Sequence, residues 1–288
     1  MDPAILPKTI EVVTDAGKEV VSLVVNQVTG DNHPEYQKAV ISGTAEALKE
    51  LAKSDISTAT RIYEKIKVKR EQREFFNLSK ILHKIATLVR TKPKEVVSDD
   101  NDFFWNTIEH AKSVSNEEMQ ELIAKIIAGE YNAPGTYSMS TLQTLKMLGK
   151  NEIELFEKMC SLLINGDQIP QNLFSLPENA KGFMNELGVD FGSLQLLQSL
   201  SLFLPNDMTK SIENPEKKNF ETIYFDKAIL FSPITPENSN ILKISIPGFF
   251  GLSPSGKQLL KHLNPKPNEK YFDWLKKNYQ IPNYKIIE

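Results

Sequence analysis

Apolar residues recur at helical spacing through the middle of the chain. In residues 114–148, positions i, i+3, i+4, i+7 and i+8 are taken by Met119, Leu122, Ile123, Ile126 and Ile127. This spacing predicts an amphipathic helix with one buried face. Ser115, followed three residues later by Glu118, has the pattern of a capping box and is expected to start the helix. Gly129 is expected to end it.

A turn and a second helix are predicted directly after this one. Pro134 and Gly135 have the composition of a tight turn. Ser140 with Gln143 repeats the capping-box pattern, so the next helix is expected to begin there. The segment therefore reads as helix, loop and helix.

Helical periodicity also covers most of the chain before this segment. The apolar stripe of residues 8–29, made largely of valines, predicts a helix that packs against the core or a partner. The same stripe could also lie on a membrane surface. Further helices are predicted for residues 34–53, from about 55 to 90, and from 98 to 114.

The pattern changes at about residue 165. A connector rich in Asn, Gly and Pro precedes two β-like runs, at 220–231 and 241–250, and two more helices follow. We therefore predict a mainly α fold. A helical domain, 1–164, forms the N-terminal and central part, and 165–288 form a small α+β, winged-helix-like C-terminal module.

Composition limits the compartment and the available chemistry. The chain has 288 residues, a formal net charge of −3 and a single cysteine. Cys160 alone can form neither an intrachain disulfide nor a cysteine-based zinc site, which favours a reducing compartment. The acidic N-terminus does not resemble a secretory signal, and the uncharged apolar run of residues 20–30 is too short to span a bilayer. We expect a cytoplasmic protein without stable transmembrane insertion.

Three stretches resemble a known bacterial family. They are "REQREFFNLSKILHKIA", "DDNDFFWNTIEHAKSVSNEEMQELIAKIIAGE" and "PGTYSMSTLQTLKML", and the later "GLSPSGKQLLKHL" is also similar. The chain resembles domain-of-unknown-function family number 2806, and is distantly similar to the α-type abortive-infection proteins associated with defence against phage. The resemblance implies a biological context and supplies no mechanism. Ile123 stands where members of the family often have Trp.

The loop between the two capped helices is the candidate partner-binding site. Its residues are Glu130, Tyr131, Pro134, Gly135, Tyr137 and Ser138. Free amides at the start of the following helix could bind an anion or a partner's carboxylate. The alternative is a purely structural connection between helices. Glu130 is unusual in either case, because an acid at a helix C-terminus meets an unfavourable dipole. A basic side chain of the same domain is expected to compensate it.

No catalytic, metal or cofactor site is expected. The acidic cluster Asp99, Asp100 and Asp102 lacks the spacing of a calcium-binding loop. The four histidines are scattered, and no nucleotide-binding or nucleophile motif is present. The sequence therefore predicts a protein that is not an enzyme.

Two basic segments make nucleic-acid binding an alternative. On a helix, Lys65, Lys69 and Arg73 would align at steps of four residues, with Arg70 beside them. Lys257 and Lys261 belong to a basic C-terminal stretch. The competing interpretation is an ordinary solvated helix face.

Three functional hypotheses follow from these patterns. The first is a non-enzymatic interaction or sensor protein of anti-phage defence, which contacts a phage or host protein or associates with itself. The second is a nucleic-acid-binding protein that uses the basic helix face and the C-terminal module. The third is a toxic effector that acts at the membrane through the N-terminal helix.

Overall fold

The computed structural model describes residues 58–89, 102–175, 181–214, 219–234 and 242–287. The predicted helices at 8–29 and 34–53 lie outside these ranges. The chain divides into two compact units, the first ending at Leu142 and the second beginning at Gln143. The boundary at residue 164 stays a prediction from sequence.

The described residues of the first unit form three helices. They are α1 (Thr58–Leu88), α2 (Asp102–Ser113) and α3 (Glu117–Asn132), and a fourth, α4 (Met139–Met147), spans the division between the units. Each helix buries one apolar face, and the fully buried residues include Ile81, Ile85, Phe104, Ile108, Ile123, Ile126 and Ile127. The predicted apolar face of α3 is therefore confirmed.

A buried polar network joins α1 to the turn between α2 and α3. Asn77 donates through Nδ2 to the carbonyl of Lys112 at 2.9 Å and to Ser115 Oγ at 3.1 Å. Gln120 donates through Nε2 to the carbonyl of Val114 at 2.9 Å. Both amide side chains are buried. They satisfy carbonyls at the end of α2 that no helical hydrogen bond can reach.

The second unit mixes helices and strands. Its helices are α5 (Lys150–Cys160), α6 (Lys181–Leu187), α7 (Phe191–Ser199), α8 (Pro254–Leu260) and α9 (Glu269–Asn278), with a short 3₁₀ turn at Gln171–Leu173. Its strands are β1 (Gln168–Pro170), β2 (Phe203–Asn214), β3 (Phe220–Tyr224), β4 (Lys227–Pro233), β5 (Leu242–Leu252) and β6 (Tyr284–Ile287).

The strands of the described residues form two antiparallel sheets. The first has the order β1-β5-β2, and the second has the order β3-β4-β6. β2 pairs with β5 from Phe203 opposite Leu252 to Asn214 opposite Leu242, with register shifts between Phe203 and Asp207 and between Met208 and Lys210. The β3–β4 hairpin is inserted in the chain between these two partners, and β6 returns to pair with β4.

The mainly α prediction is wrong. Of the described residues, 56% are helical and 21% lie in strands, so the described part of the chain is α+β. The winged-helix-like order of helix, strand, strand and helix is also wrong, because six strands are present in the described residues and β6 follows the last helix. β2 escapes detection because most of its side chains are polar or exposed, and its pairing with β5 stabilises it instead.

At the N-termini of the helices, the structure corrects two predicted capping residues and confirms a third. α3 is capped by Asn116, whose Oδ1 accepts from the amide of Met119 at 3.0 Å, one residue after the predicted Ser115. At α4 the cap is Ser138, whose Oγ accepts from the amide of Thr141 at 3.3 Å, where Ser140 was predicted. At α8, Ser253 accepts from the amide of Gly256 at 2.9 Å and Pro254 follows, as expected.

A tyrosine hydroxyl links three segments of the second unit. Tyr224, at the end of β3, donates to the carbonyl of Ser161 at 2.8 Å and accepts from the amide of Asn268 at 2.6 Å. Its ring meets that of Tyr271 edge-on, with centroids 5.4 Å apart. The Tyr271 hydroxyl is also buried, but it has no hydrogen-bond partner among the described residues.

The two tyrosines give a matched pair of substitutions. We expect Tyr224→Phe to lower the free energy of unfolding by about 1–3 kcal/mol, because a partly buried backbone amide loses its acceptor. Tyr271→Phe removes a hydroxyl without a partner and should leave stability within about 0.5 kcal/mol of wild type or raise it. Urea denaturation followed by circular dichroism measures both. Equal losses in the two variants would contradict the assigned role of the Tyr224 hydroxyl.

Candidate functional site

The Glu130 side chain joins the end of α3 to the loop that follows it. Glu130 lies in the last turn of α3, and only 1% of the residue surface is exposed. Its Oε1 accepts from the amide of Gly135 at 2.7 Å, and its Oε2 accepts from the amide of Tyr137 at 3.2 Å. Hydrogen bonds to a charged acceptor are stronger than neutral ones. These two amides therefore supply at least part of the compensation that a carboxylate needs at a helix C-terminus.

Gly129 admits the aromatic ring that packs on this loop. A Cβ at this position would lie 2.6 Å from the Tyr137 hydroxyl oxygen. The Tyr137 ring is buried and stacks on Phe103 of α2, with centroids 5.5 Å apart and an angle of 17°. Because α3 continues to Asn132, Gly129 does not end the helix as predicted. Its role is to let Tyr137 approach.

Burial and charge also change the acidity of this tyrosine. Burial, with the nearby negative charge of Glu130 as the smaller cause, raises the pKa of Tyr137 to about 12. Both effects favour the neutral phenol. The group therefore stays protonated at any physiological pH.

The structure brings all six predicted loop residues together, but most of their chemistry faces inward. Glu130, Tyr131 and Tyr137 are buried, Pro134 and Ser138 are half-buried, and Gly135 is exposed. Gly135 has a φ of 84°, a conformation that favours glycine, so it is explained by the turn. Ser138 caps α4. Hydrogen bonds, turn geometry, ring packing or capping give Glu130, Gly135, Tyr137 and Ser138 structural roles in the connection between α3 and α4, called here the latch. Partner binding by this loop stays a prediction.

The basic residues of α1 are only partly available for a phosphate. Lys69 and Arg73 are exposed, while Arg70 forms an ion pair with Glu74 at 2.6 Å. The side chain of Lys65 lies outside the described part of the structure. Nucleic-acid binding by this face stays a prediction.

The C-terminal basic residues are similarly divided. Lys257 forms an ion pair with Asp167 at 2.5 Å, whereas Lys261 is exposed. α8, which carries Lys257, belongs to the second unit, and α1 belongs to the first. The winged-helix-like module that was expected to present these lysines is absent from the described residues.

An exposed apolar surface on the second sheet was missed from the sequence. Side chains alternate along β3, β4 and β6, so that Tyr224, Ile229 and Phe231 face the core. The opposite side, called here the outer face, carries Ile223, Leu230 and Ile287, which are 46%, 43% and 36% exposed. Ala228 is exposed between them, opposite Ile223.

Opposite charges flank the outer face. Glu221 of β3 pairs across the sheet with Leu230, which pairs in turn with Ile287 of β6. Lys285 of β6 lies two residues before Ile287, on the same side of the strand and opposite Ser232. One edge strand therefore presents an acid and the other a base, with the apolar residues between them. The alternation was visible in the sequence, but the side that faces solvent was not.

The remaining candidate features are the single cysteine, the acidic cluster and the possible metal sites or membrane-spanning segments. Cys160 is buried, and burial together with Glu157 raises the pKa of its thiol well above the usual value. Among the described residues, no group of three His, Cys, Asp or Glu side chains could hold a metal ion. In the same residues, no helix combines the length and the apolarity needed to cross a membrane. Asp99 and Asp100 lie outside the described ranges.

The latch can be tested by removing its carboxylate. We expect Glu130→Ala to lower the free energy of unfolding by about 2–4 kcal/mol, because two loop amides lose a charged acceptor. Urea denaturation measures the change. The matched control is Glu109→Ala, whose exposed carboxylate pairs with Lys112 on the helix surface and should cost less than about 1 kcal/mol. A loss at Glu130 no larger than this control would rule out the latch.

Comparison with known proteins adds one match. The family described as "Protein of unknown function (DUF2806)" matches residues 60–276, which is more than half of the chain. No curated protein and no solved structure matches the chain. The resemblance to family number 2806 is confirmed, while the similarity to abortive-infection proteins stays a prediction. The chain belongs to the DUF2806 family.

Proposed function

We propose that this chain is a non-enzymatic interaction protein that associates with itself through the outer face of the β3-β4-β6 sheet. We place this activity in a bacterial anti-phage defence system of the abortive-infection kind. The observation that carries the interaction is the exposed apolar centre of the sheet, with Ile223, Leu230 and Ile287 on one side. The resemblance to defence proteins supports the biological setting.

The size of the apolar centre indicates a weak association. Fully burying an aliphatic side chain contributes about 1.5–3 kcal/mol, and between 36% and 46% of each of these three residues is exposed. Six such side chains in a symmetric pair would contribute roughly 5 kcal/mol, which is similar to the lower limit of the entropic cost of association. Self-association should therefore depend on concentration and on the flanking charges.

The flanking charges favour a second copy as the occupant. If two outer faces pack about a two-fold axis that runs along β4, then β3 of one copy lies over β6 of the other. Glu221 of each copy then lies within reach of Lys285 of its partner, and the contact occurs twice. A surface with an acid on one edge and a base on the other is self-complementary in this way.

Weak self-association suits a sensor. A chain that is mostly monomeric at low concentration assembles when a phage or host component gathers several copies. The raised local concentration then drives an association that is too weak to occur in dilute solution. No catalytic step is required. A phage or host protein bound directly to the outer face is the competing occupant.

Self-association can be tested with a matched pair of leucines. We expect sedimentation velocity to show a concentration-dependent dimer for wild type, and Leu230→Glu to weaken dimerisation at least about 10-fold, because a charge would be buried in the apolar contact. Leu196→Glu is the control, since Leu196 lies on α7 in the same unit and is 44% exposed. It should dimerise like wild type. A wild-type chain that stays monomeric at every concentration, or equal effects of the two variants, would exclude this interface.

The defence role has a separate test in cells. Bacteria that express the chain with its neighbouring genes should form fewer phage plaques, and Leu230→Glu should remove this protection because assembly is lost. Conservative changes at the histidines and at Asp99, Asp100 and Asp102 should leave protection intact. Protection lost in those conservative variants, with the fold preserved, would instead indicate an active site. Protection retained by a monomeric Leu230→Glu chain would indicate that a protein partner binds elsewhere.

A further inference from the structure

A groove of about 970 Å³ runs through the second unit. One wall is formed by the paired strands β2 and β5, and the other by the segment that leads from the end of α9 into β6. Its charged lining consists of four lysines, Lys210, Lys276, Lys277 and Lys285, and no aspartate or glutamate lines it. The lysines come from three separate segments of the chain.

Ordinary structural roles explain only some of these lysines. Lys276 forms an ion pair with Asp273 at 2.7 Å and lies 5.1 Å from the centre of the Phe272 ring. Lys276 and Lys277 also lie in the last turn of α9, where cations stabilise a helix. Lys210 and Lys285 are on strands, so the helix dipole does not account for them.

The Asp273 carboxylate interacts with two of these lysines, because its pKa is lowered by a hydrogen bond from Lys276 and, as a smaller cause, by the charge of Lys277. Lys210 and Lys285 form no ion pair among the described residues, and their side chains and that of Lys277 are exposed. Gathering like charges around one groove is unfavourable unless a bound anion offsets the repulsion. The groove also presents hydroxyl and amide side chains that can donate hydrogen bonds, from Thr209, Ser211, Ser245, Gln280 and Asn283.

We propose that this groove binds the phosphate groups of a nucleotide ligand, with single-stranded nucleic acid as the expected source. Its volume is at the upper end of the range for small-ligand sites, which leaves room for more than one phosphate. Lysine ammonium groups act as point charges and lack the planar fork that reads base edges. Binding is therefore expected to be independent of base sequence and sensitive to salt.

This site and the outer face share one residue, Lys285, which the self-association proposal pairs with Glu221 of a second copy. Lys285 is therefore left unchanged in the experiments that test either surface. Leu230→Glu should not alter nucleotide binding, and substitution of Lys210 and Lys277 should not alter sedimentation. Failure of one proposal therefore leaves the other standing.

The test uses the full chain and a fluorescein-labelled oligothymidylate of about 12 nucleotides, measured by fluorescence anisotropy at about 50 mM salt and at rising salt concentrations. We expect wild type to bind with a logarithmic salt slope of about −2, as contact with three phosphates of a single strand requires. The double variant Lys210→Gln, Lys277→Gln should bind at least about 10-fold more weakly, with a slope reduced by about 1.4.

The matched control is the double variant Lys158→Gln, Lys266→Gln, which removes two exposed lysines of the same unit that do not line the groove. Its affinity should stay within about 2-fold of wild type, because only nonspecific long-range attraction changes. Thermal unfolding followed by circular dichroism confirms that both variants fold.

Competition identifies the source of the phosphate. Adenosine triphosphate and inorganic phosphate are added separately to the complex with the oligonucleotide. Displacement only by excess oligonucleotide supports a nucleic-acid strand. If adenosine triphosphate binds and the groove variant weakens this binding, while the oligonucleotide does not bind, the groove is still a phosphate site but its ligand is a small molecule. The proposal is overturned if no probe binds at low salt, or if the groove and control variants lose affinity equally.

Discussion

The antiparallel pairing of β2 with β5 is the contact on which the second unit depends. β5 is the central strand of its sheet and pairs with β1 on one side and β2 on the other. The chain between Asn214 and Leu242 must leave this ribbon and return to it, and it forms the β3–β4 hairpin on the way. The entropy of closing such a loop grows only slowly with its length, so the insertion is compatible with stable pairing. The ribbon forms one wall of the lysine groove, and its insertion carries the outer face.

Side chains that bind backbone groups hold the irregular segments of both units. Glu130 accepts from two loop amides, Asn77 and Gln120 donate to carbonyls of the turn between α2 and α3, and Tyr224 bridges two distant backbone groups. In each case a buried side chain replaces a hydrogen bond that regular secondary structure cannot provide. These residues therefore resemble site residues in the sequence, because they are polar and lie in loops or at helix ends, yet their geometry is accounted for by folding.

Local signals in the sequence indicate the helices but misplace several of their ends, and long-range strand pairing leaves no local signal. The apolar face of α3 and the Ser253 cap of α8 are set by neighbouring residues, and both predictions are confirmed. Competing capping residues lie one or two positions apart, so Asn116 and Ser138 were missed although the helices were found. β2 depends on a partner far along the chain, and β6 depends on β4. Their omission produced the incorrect mainly α prediction.

The candidate sites also differ in how far they depend on long-range contacts. The six loop residues are close in sequence, so their proximity could be predicted, but the burial of Glu130 and the approach of Tyr137 to Gly129 required the folded helix ends. The groove lysines come from β2, α9 and β6, which are brought together only by the tertiary fold. The single C-terminal basic stretch in the sequence contains three of them, yet nothing in it indicates Lys210.

The irregular register of β2 has a consequence for the behaviour of the chain in a crowded solution. In the described residues, β2 is one of the two edge strands of its sheet, and it has two register shifts with the exposed Lys210 at the second. A long, flat, uncharged edge is a template on which further chains can add strands without limit, whereas bulges and an edge lysine interrupt that growth. We therefore expect Lys210 to limit fibrous aggregation of the chain, whether or not an anion occupies the groove.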